Sequence, residues 1–171
     1  MLHAPILSNE SARLQALREL LILDTPPEQR FDRIIEFARG EFEVPTVLLS
    51  LVDGERQWFK SRIGLDASET PRNISFCGHA ILQPELLVIE DARLDPRFAD
   101  NPLVTAPPHI RFYAGAPLEL SPGLRVGTLC LLGPEPRVFD ATDRAILGSL
   151  RDVVIEELRS RQEEEEKRGP A

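Results

Sequence analysis

The spacing of the apolar residues changes character twice along this chain, and that limits it to folds in which helices flank a central sheet. Up to Phe42 they recur every three or four positions: Leu14, Leu17, Leu20 and Leu21, then Phe31, Ile34, Ile35, Ala38 and Phe42. That spacing collects side chains on one face of a helix. Near Val44 the pattern becomes strand-like, and after Asp140 it is helical again, with Leu147, Leu150, Val154 and Leu158 in one stripe. Ser8 or Asn9 is placed to cap the first helix, which is expected to stop around Leu23-Asp24. Thr25-Pro26-Pro27-Glu28 reads as a capping box for the second. In that reading Thr25 is the N-cap, Pro26 sits where a missing N–H costs nothing, and Glu28 reaches back.

Val44 to Asp53 is nearly continuous apolar sequence, as expected of a central strand covered on both faces. Asp53-Gly54 signals a tight hairpin into a second strand from Gln57 to Ile63. Simple alternation there puts Trp58, Lys60 and Arg62 on one face and Phe59, Ser61 and Ile63 on the other, a half-exposed strand. A short helix is expected around Cys77 to Leu82, and a strand from Leu86 to Asp91. Pro96, Pro102, Pro107 and Pro108 then remove backbone donors, so no regular strand runs through Asp91 to Pro108. From Ile110, alternation sends Ile110, Phe112, Ala114, Ala116 and Leu118 one way and Arg111, Tyr113, Gly115, Pro117 and Glu119 the other. Ser121-Pro122-Gly123 turns the chain into a partner strand, Leu124 to Leu132, and Asp140-Ala141-Thr142-Asp143 caps the last helix.

At 171 residues the chain fits one domain large enough for its own core. Its apolar runs fall far short of the ~20 residues of a membrane helix, and its first residues lack the pattern of a secretory signal. The expectation is a soluble cytoplasmic protein. A formal charge of -8 disfavours nucleic acid as a partner, because neutralising phosphates takes clustered Lys and Arg. Much of the acidity lies in Glu163-Glu164-Glu165-Glu166, read as a solvated helix end or tail.

The chemistry concentrates between Ile74 and Phe112, on connections where a scaffold can aim side chains inward. Two cysteines, Cys77 and Cys130, are too few for a disulfide framework and lack CxxC spacing. Cys77 is open to two readings, a small buried hydrophobe or a pocket thiol. His79 can assist that thiol only if the backbone is extended, since two residues share a side in a strand and not in a helix. Cys130 is in phase with Val126, Thr128 and Leu132 and reads as core. A metal on Cys77, His79 and His109 is disfavoured for want of a fourth ligand. Arg97 and Arg111 are placed either to clamp an anion or to pair with Asp91, Asp95 or Asp100.

Several segments together resemble one family: Leu23-Asp24-Thr25-Pro26-Pro27-Glu28, Ser75-Phe76-Cys77-Gly78-His79, Asp95-Pro96-Arg97-Phe98, Phe112-Tyr113-Ala114-Gly115-Ala116-Pro117-Leu118 and Gly127-Thr128-Leu129-Cys130. They are similar to a bacterial GAF subfamily often found ahead of diguanylate cyclase or histidine kinase modules. The resemblance implies an α+β, profilin-like fold: a central antiparallel sheet, helices on one face, and a ligand pocket under loops on the other. It implies a tail over residues 1–7, a GAF domain over 8–161 that includes both terminal helices, and an acidic tail or linker over 162–171. Bilin-binding members carry Cys directly followed by His, whereas Gly78 intervenes here, and the cyclic-nucleotide signature is absent.

The function implied is a non-catalytic sensory and regulatory domain. Phe59, Cys77, His79, Phe98, Arg111, Phe112 and Tyr113 are the expected pocket residues. The ligand is unidentified, and no cofactor or metal is assigned. The terminal helices are expected to pair two copies in a homodimer. A diguanylate cyclase or histidine kinase in cis or in trans is the expected output, the chain being either a stand-alone regulator or a fragment. One alternative is a thiol enzyme on the same fold, like the free methionine sulfoxide reductases, with Cys77 as nucleophile, His79 as base and Cys130 resolving. Another is a ligand-free dimerisation module.

Overall fold

The computed structural model describes residues 2–169. Six strands form one antiparallel sheet in the order β3-β2-β1-β6-β5-β4. They are β1 (Thr46–Val52), β2 (Arg56–Ile63), β3 (Glu69–Pro71), β4 (Leu87–Ile89), β5 (Phe112–Ser121) and β6 (Leu124–Gly133). The helices are α1 (Glu10–Glu19), α2 (Gln29–Phe42), α3 (Phe76–Ala80), α4 (Pro102–Thr105) and α5 (Ala141–Arg168).

The sheet separates two cores, and β1 contributes to both. Val47, Leu49 and Leu51 face α1, α2 and α5, while Leu48 and Val52 face the connections that carry α3 and α4. This is why Val44 to Asp53 shows no alternation: neither face meets water. The stripes that mark α1 and α5 in the sequence are buried within the chain, with Leu17, Leu20, Leu147, Val154 and Leu158 all in the helix-side core. Burial against their own sheet removes these five residues as a surface for a second copy, whereas Leu21 of the first stripe is exposed. The last helix continues through the acidic run to Arg168. The Asp140–Asp143 capping box that begins it has both of its hydrogen bonds.

Two local expectations are overturned by geometry. In β2 the pairing with β1 skips Lys60, Ser50 facing Phe59 and Leu49 facing Ser61. A bulge of this kind changes the phase of the side chains. Lys60 and Ser61 consequently both serve the helix side, where Ser61 Oγ bonds Asp32 on α2, and Lys60 is 2% exposed rather than facing water. The second correction concerns the capping box at Thr25. Helix α2 starts later, at Gln29, the Thr25 hydroxyl donates to the Ile22 carbonyl, and Glu28 turns inward. There Glu28 Oε2 lies 2.7 Å from Lys60 Nζ and 2.6 Å from Arg161 Nε. Arg161 also donates to the Leu20 and Leu21 carbonyls. The bulged strand, the turn before α2 and the far part of α5 thus meet in one charge cluster.

A second such cluster ties α1 to the sheet. Arg13, fully buried, donates to the Val52 carbonyl at 2.7 Å, and the Glu10 carboxylate pairs with both Arg13 and Arg72. Burial works to raise the Glu10 carboxyl, but hydrogen bonds and charge from Arg13 and Arg72 outweigh it and bring the pKa down to about 2. A carboxylate whose folded pKa is depressed contributes stability above its unfolded value and loses it as pH falls through the folded one. Glu10 should therefore support the fold fully above its ordinary value of 4.5 and cease to do so as pH approaches about 2. In urea titrations, Glu10→Gln should flatten the loss of stability across that window. An unchanged acid slope would contradict the pairing.

Candidate functional site

The loop-side face of the sheet is divided between a closed cluster and an open cavity. The cluster forms around Cys77. Ser75 caps α3 by accepting from the Gly78 amide, which fixes a single helical turn over the sheet and points Cys77 down onto β5 and β6. Cys77 Sγ lies 3.0 Å from Thr128 Oγ1, 3.2 Å from the Tyr113 hydroxyl and 3.9 Å from Cys130 Sγ. Tyr113 reaches this point because its ring lies over Gly115, where a Cβ would sit 2.2 Å from the hydroxyl. Beyond it, Phe76 and Phe98 stack with centroids 4.2 Å apart, and His79 meets the Phe98 edge. The molecule's own aromatic groups fill this half of the face.

Electrostatics in the cluster are asymmetric. Burial disfavours a thiolate at both cysteines, yet hydrogen bonding with Cys130, Thr128 and Tyr113 holds the Cys77 thiol below its ordinary value. Cys130 is pushed up, by burial and then by its bond to Cys77. The helical backbone at α3 turns His79 away from the sulfur. His79 Nε2 instead lies 3.3 Å from the Leu2 carbonyl, and burial lowers its pKa.

The cavity opens beside this cluster. It has a volume of about 250 Å³ and is walled by Leu48, Phe59, Leu65, Leu103, Ile110 and Leu132, with several backbone and proline atoms at its rim. Its polar side chains are Thr46, Gln57 and Thr70. The Gln57 amide donates to Thr70 Oγ1 at 2.9 Å and accepts from Ser50 Oγ at 2.7 Å, so it is held in one orientation. Ser50 thus anchors Gln57 from the central strand β1.

Of the residues expected to line a pocket, Phe59 borders the cavity. Cys77, His79, Phe98 and Tyr113 are gathered in the closed cluster next to it. Phe112 is on the opposite face, packed on Phe139 at 5.5 Å in the helix-side core. Strand alternation already separates Phe112 from Tyr113, so a single pocket cannot use both. Arg111 donates to the Val104 carbonyl and so ties α4 over the cavity mouth. Arg97 pairs with Asp95 at 2.8 Å, as one of its two readings has it. Gln57, Thr70, Leu103 and Ile110 were not singled out in the sequence. Only their convergence in space marks them, because Gln57 and Thr70 sit opposite each other in the β2–β3 pairing. Among the described residues no group of three or more His, Cys, Asp and Glu side chains is placed to hold a metal ion, and no helix is long and apolar enough to cross a membrane.

The pattern of the GAF domain family matches residues 26–156, and the chain belongs to that family. A cyclic di-GMP phosphodiesterase of Pseudomonas aeruginosa is 44% identical over 133 residues, which is 78% of this chain and 23% of that protein. The chain therefore spans about a quarter of that relative's length. Among solved structures, the GAF domain of a phosphoenolpyruvate-protein phosphotransferase from Coxiella burnetii superposes with a TM-score of 0.67 at 17% identity, covering 92% of this chain and 98% of the other. The free methionine-R-sulfoxide reductase of Neisseria meningitidis, solved with its substrate, gives 0.63 at 19% identity over 96% and 98%. These likenesses establish the α+β GAF fold with its antiparallel sheet. The expectation of a chain without catalytic activity does not stand. The 44%-identical relative is named a phosphodiesterase and the same fold is found in a methionine sulfoxide reductase, both enzymes.

Proposed function

We propose that this chain is the ligand-receiving GAF unit of a signalling enzyme related to the cyclic di-GMP phosphodiesterases. In this reading its ligand is a small, neutral and largely apolar molecule bound in the cavity between β1, β2, β6 and α4. The observation that carries the reading is the cavity itself, with apolar walls and one oriented amide–hydroxyl pair, Gln57 and Thr70. Ligand sites are mostly apolar with a few placed polar groups, and commonly measure about 300–1,000 Å³. At about 250 Å³ this one suits a molecule smaller than a nucleotide. No charged side chain lines it, which argues against a phosphate or carboxylate ligand.

Signal output would follow if the ligand binds two arrangements of the lid and terminal helices with different affinity. Arg111, bonded to the α4 carbonyl of Val104, couples lid to strand, and the Glu28 cluster couples β2 to α5. A homodimer would use apolar residues that the monomer leaves uncovered, such as Phe37 and Val153 beside the groove between α2 and α5, rather than the buried parts of the stripes.

Native mass spectrometry of the purified protein should detect a bound small molecule. A ligand at about a hundred times its dissociation constant should add about 2.7 kcal/mol to stability and raise the melting temperature. Leu103→Trp, which fills the cavity from the lid, should abolish both the bound mass and the ligand-induced shift while the protein stays folded. A ligand that binds this variant undiminished would place the site elsewhere.

A further inference from the structure

The paired cysteines stand apart from the cavity reading. Cys77 and Cys130 are both buried, on α3 and on the central strand β6, with sulfurs 3.9 Å apart. Closing a disulfide from there requires an approach of about 2 Å, since the bonded sulfurs are ~2.05 Å apart. The two partners differ in their freedom to move. Cys130 is fixed between Leu48 of β1 and Gly115 of β5, whereas α3 is one turn of five residues between loops. Any movement that closes the bond therefore falls to Cys77 and α3 rather than to the paired strand. Around Cys77 three groups, the Thr128 and Tyr113 hydroxyls and the Cys130 thiol, converge on the sulfur within hydrogen-bond reach. Either hydroxyl can turn its hydrogen toward the sulfur, so both can stabilise a Cys77 thiolate once its proton leaves. The two thiols are also unlike: hydrogen bonding lowers Cys77 from its ordinary value, whereas burial raises Cys130.

We infer that Cys77 and Cys130 form a redox-active dithiol that a hydroperoxide oxidises to an intramolecular disulfide linking α3 to β6. The Cys77 thiolate attacks the peroxide oxygen, the O–O bond breaks, and the departing oxygen leaves as water or an alcohol after taking a proton. The resulting sulfenic acid is attacked by Cys130, which forms the S–S bond and releases its hydroxyl as water. Two electrons pass from the sulfur pair to the peroxide. Hydrogen peroxide is close to water in size, and local opening of a single-turn helix admits it. Tyr113 acts as a positioning residue, aiming its hydroxyl at Cys77 from above Gly115.

The test uses the folded, reduced protein treated with hydrogen peroxide. Thiols are then alkylated with iodoacetamide under denaturing conditions and the digest is mapped by mass spectrometry. A peptide joining Cys77 to Cys130, lost on treatment with dithiothreitol, is the expected product in the monomer. Tyr113→Phe, which keeps the ring and removes the hydroxyl, should slow its appearance several-fold, and Cys130→Ser should leave Cys77 as sulfenic or sulfinic acid. Both cysteines remaining alkylatable in the parent protein would overturn the inference, as would sulfinic acid at Cys77 beside a free Cys130, or bridges only between chains. The result does not depend on occupancy of the cavity.

Discussion

Glu28→Gln is expected to lower the unfolding free energy by about 3–5 kcal/mol, read from urea denaturation at neutral pH. The size of the effect follows from what is left behind. Lys60 Nζ is enclosed, ion-paired with Glu28 and donating to Thr25 and the Pro26 carbonyl, and Arg161 is nearly as deep. Burial already lowers the Lys60 pKa against the pull of Glu28. Removing the carboxylate leaves two cations facing each other in a poorly solvated space. The loss should be non-additive: Lys60→Met in the Glu28→Gln background should recover part of it, because one of the stranded charges is gone and its stem is replaced by apolar volume. A cost below about 1 kcal/mol, the range of an exposed pair, would mean that the cluster is open to water.

Phe98→Ala should cost about 3–5 kcal/mol, the range for deleting a buried aromatic ring. Phe98 is fully buried, stacked on Phe76 and met by the edge of His79, with the Arg97 guanidinium 5.3 Å from its ring centre. These contacts make it a filler of the closed half of the loop-side face and not the wall of a vacancy. The variant should therefore create a new apolar void that takes up a small hydrocarbon such as benzene, which the parent protein does not bind at that position. Calorimetric melting with and without benzene separates the cases. A loss of less than about 1 kcal/mol would indicate that the ring borders an opening rather than filling one.

How much of this was legible in the sequence depends on the range of the interaction that decides each feature. Elements fixed by local chemistry can be read directly: the apolar run of β1, the Asp53-Gly54 turn, the Asp140 cap, and the prolines that keep a strand from forming before Ile110. The bulge at Lys60 cannot, since alternation carries no mark of the partner strand's register. Glu28 illustrates the same limit. Its position fits a capping box, but Lys60 and Arg161, far away in sequence, offer the half-buried carboxylate stronger partners than one backbone amide.

The site was half legible. Cys77 and Tyr113 were recognised as a chemical concentration, and helical spacing at α3 explains why His79 does not join them. Thr128 was read as core and Cys130 as core or, in the thiol-enzyme alternative, as a resolving thiol, but nothing local reveals that β6 lies beneath α3. The cavity itself was missed in detail. It arises where four strands, a proline-rich loop and α4 fail to meet, and a gap between segments leaves no motif in any of them.

The division of the loop-side face into a filled cluster and an open cavity underlies both functional readings, and xenon-pressurised crystals test it most directly. Xenon occupies dry apolar voids. The account predicts a single strong peak among Leu48, Phe59, Leu103, Ile110 and Leu132, and none among Phe76, Phe98, Cys77 and Tyr113. Xenon lodged beside Cys77 and Phe98, with the space under α4 closed, would contradict it.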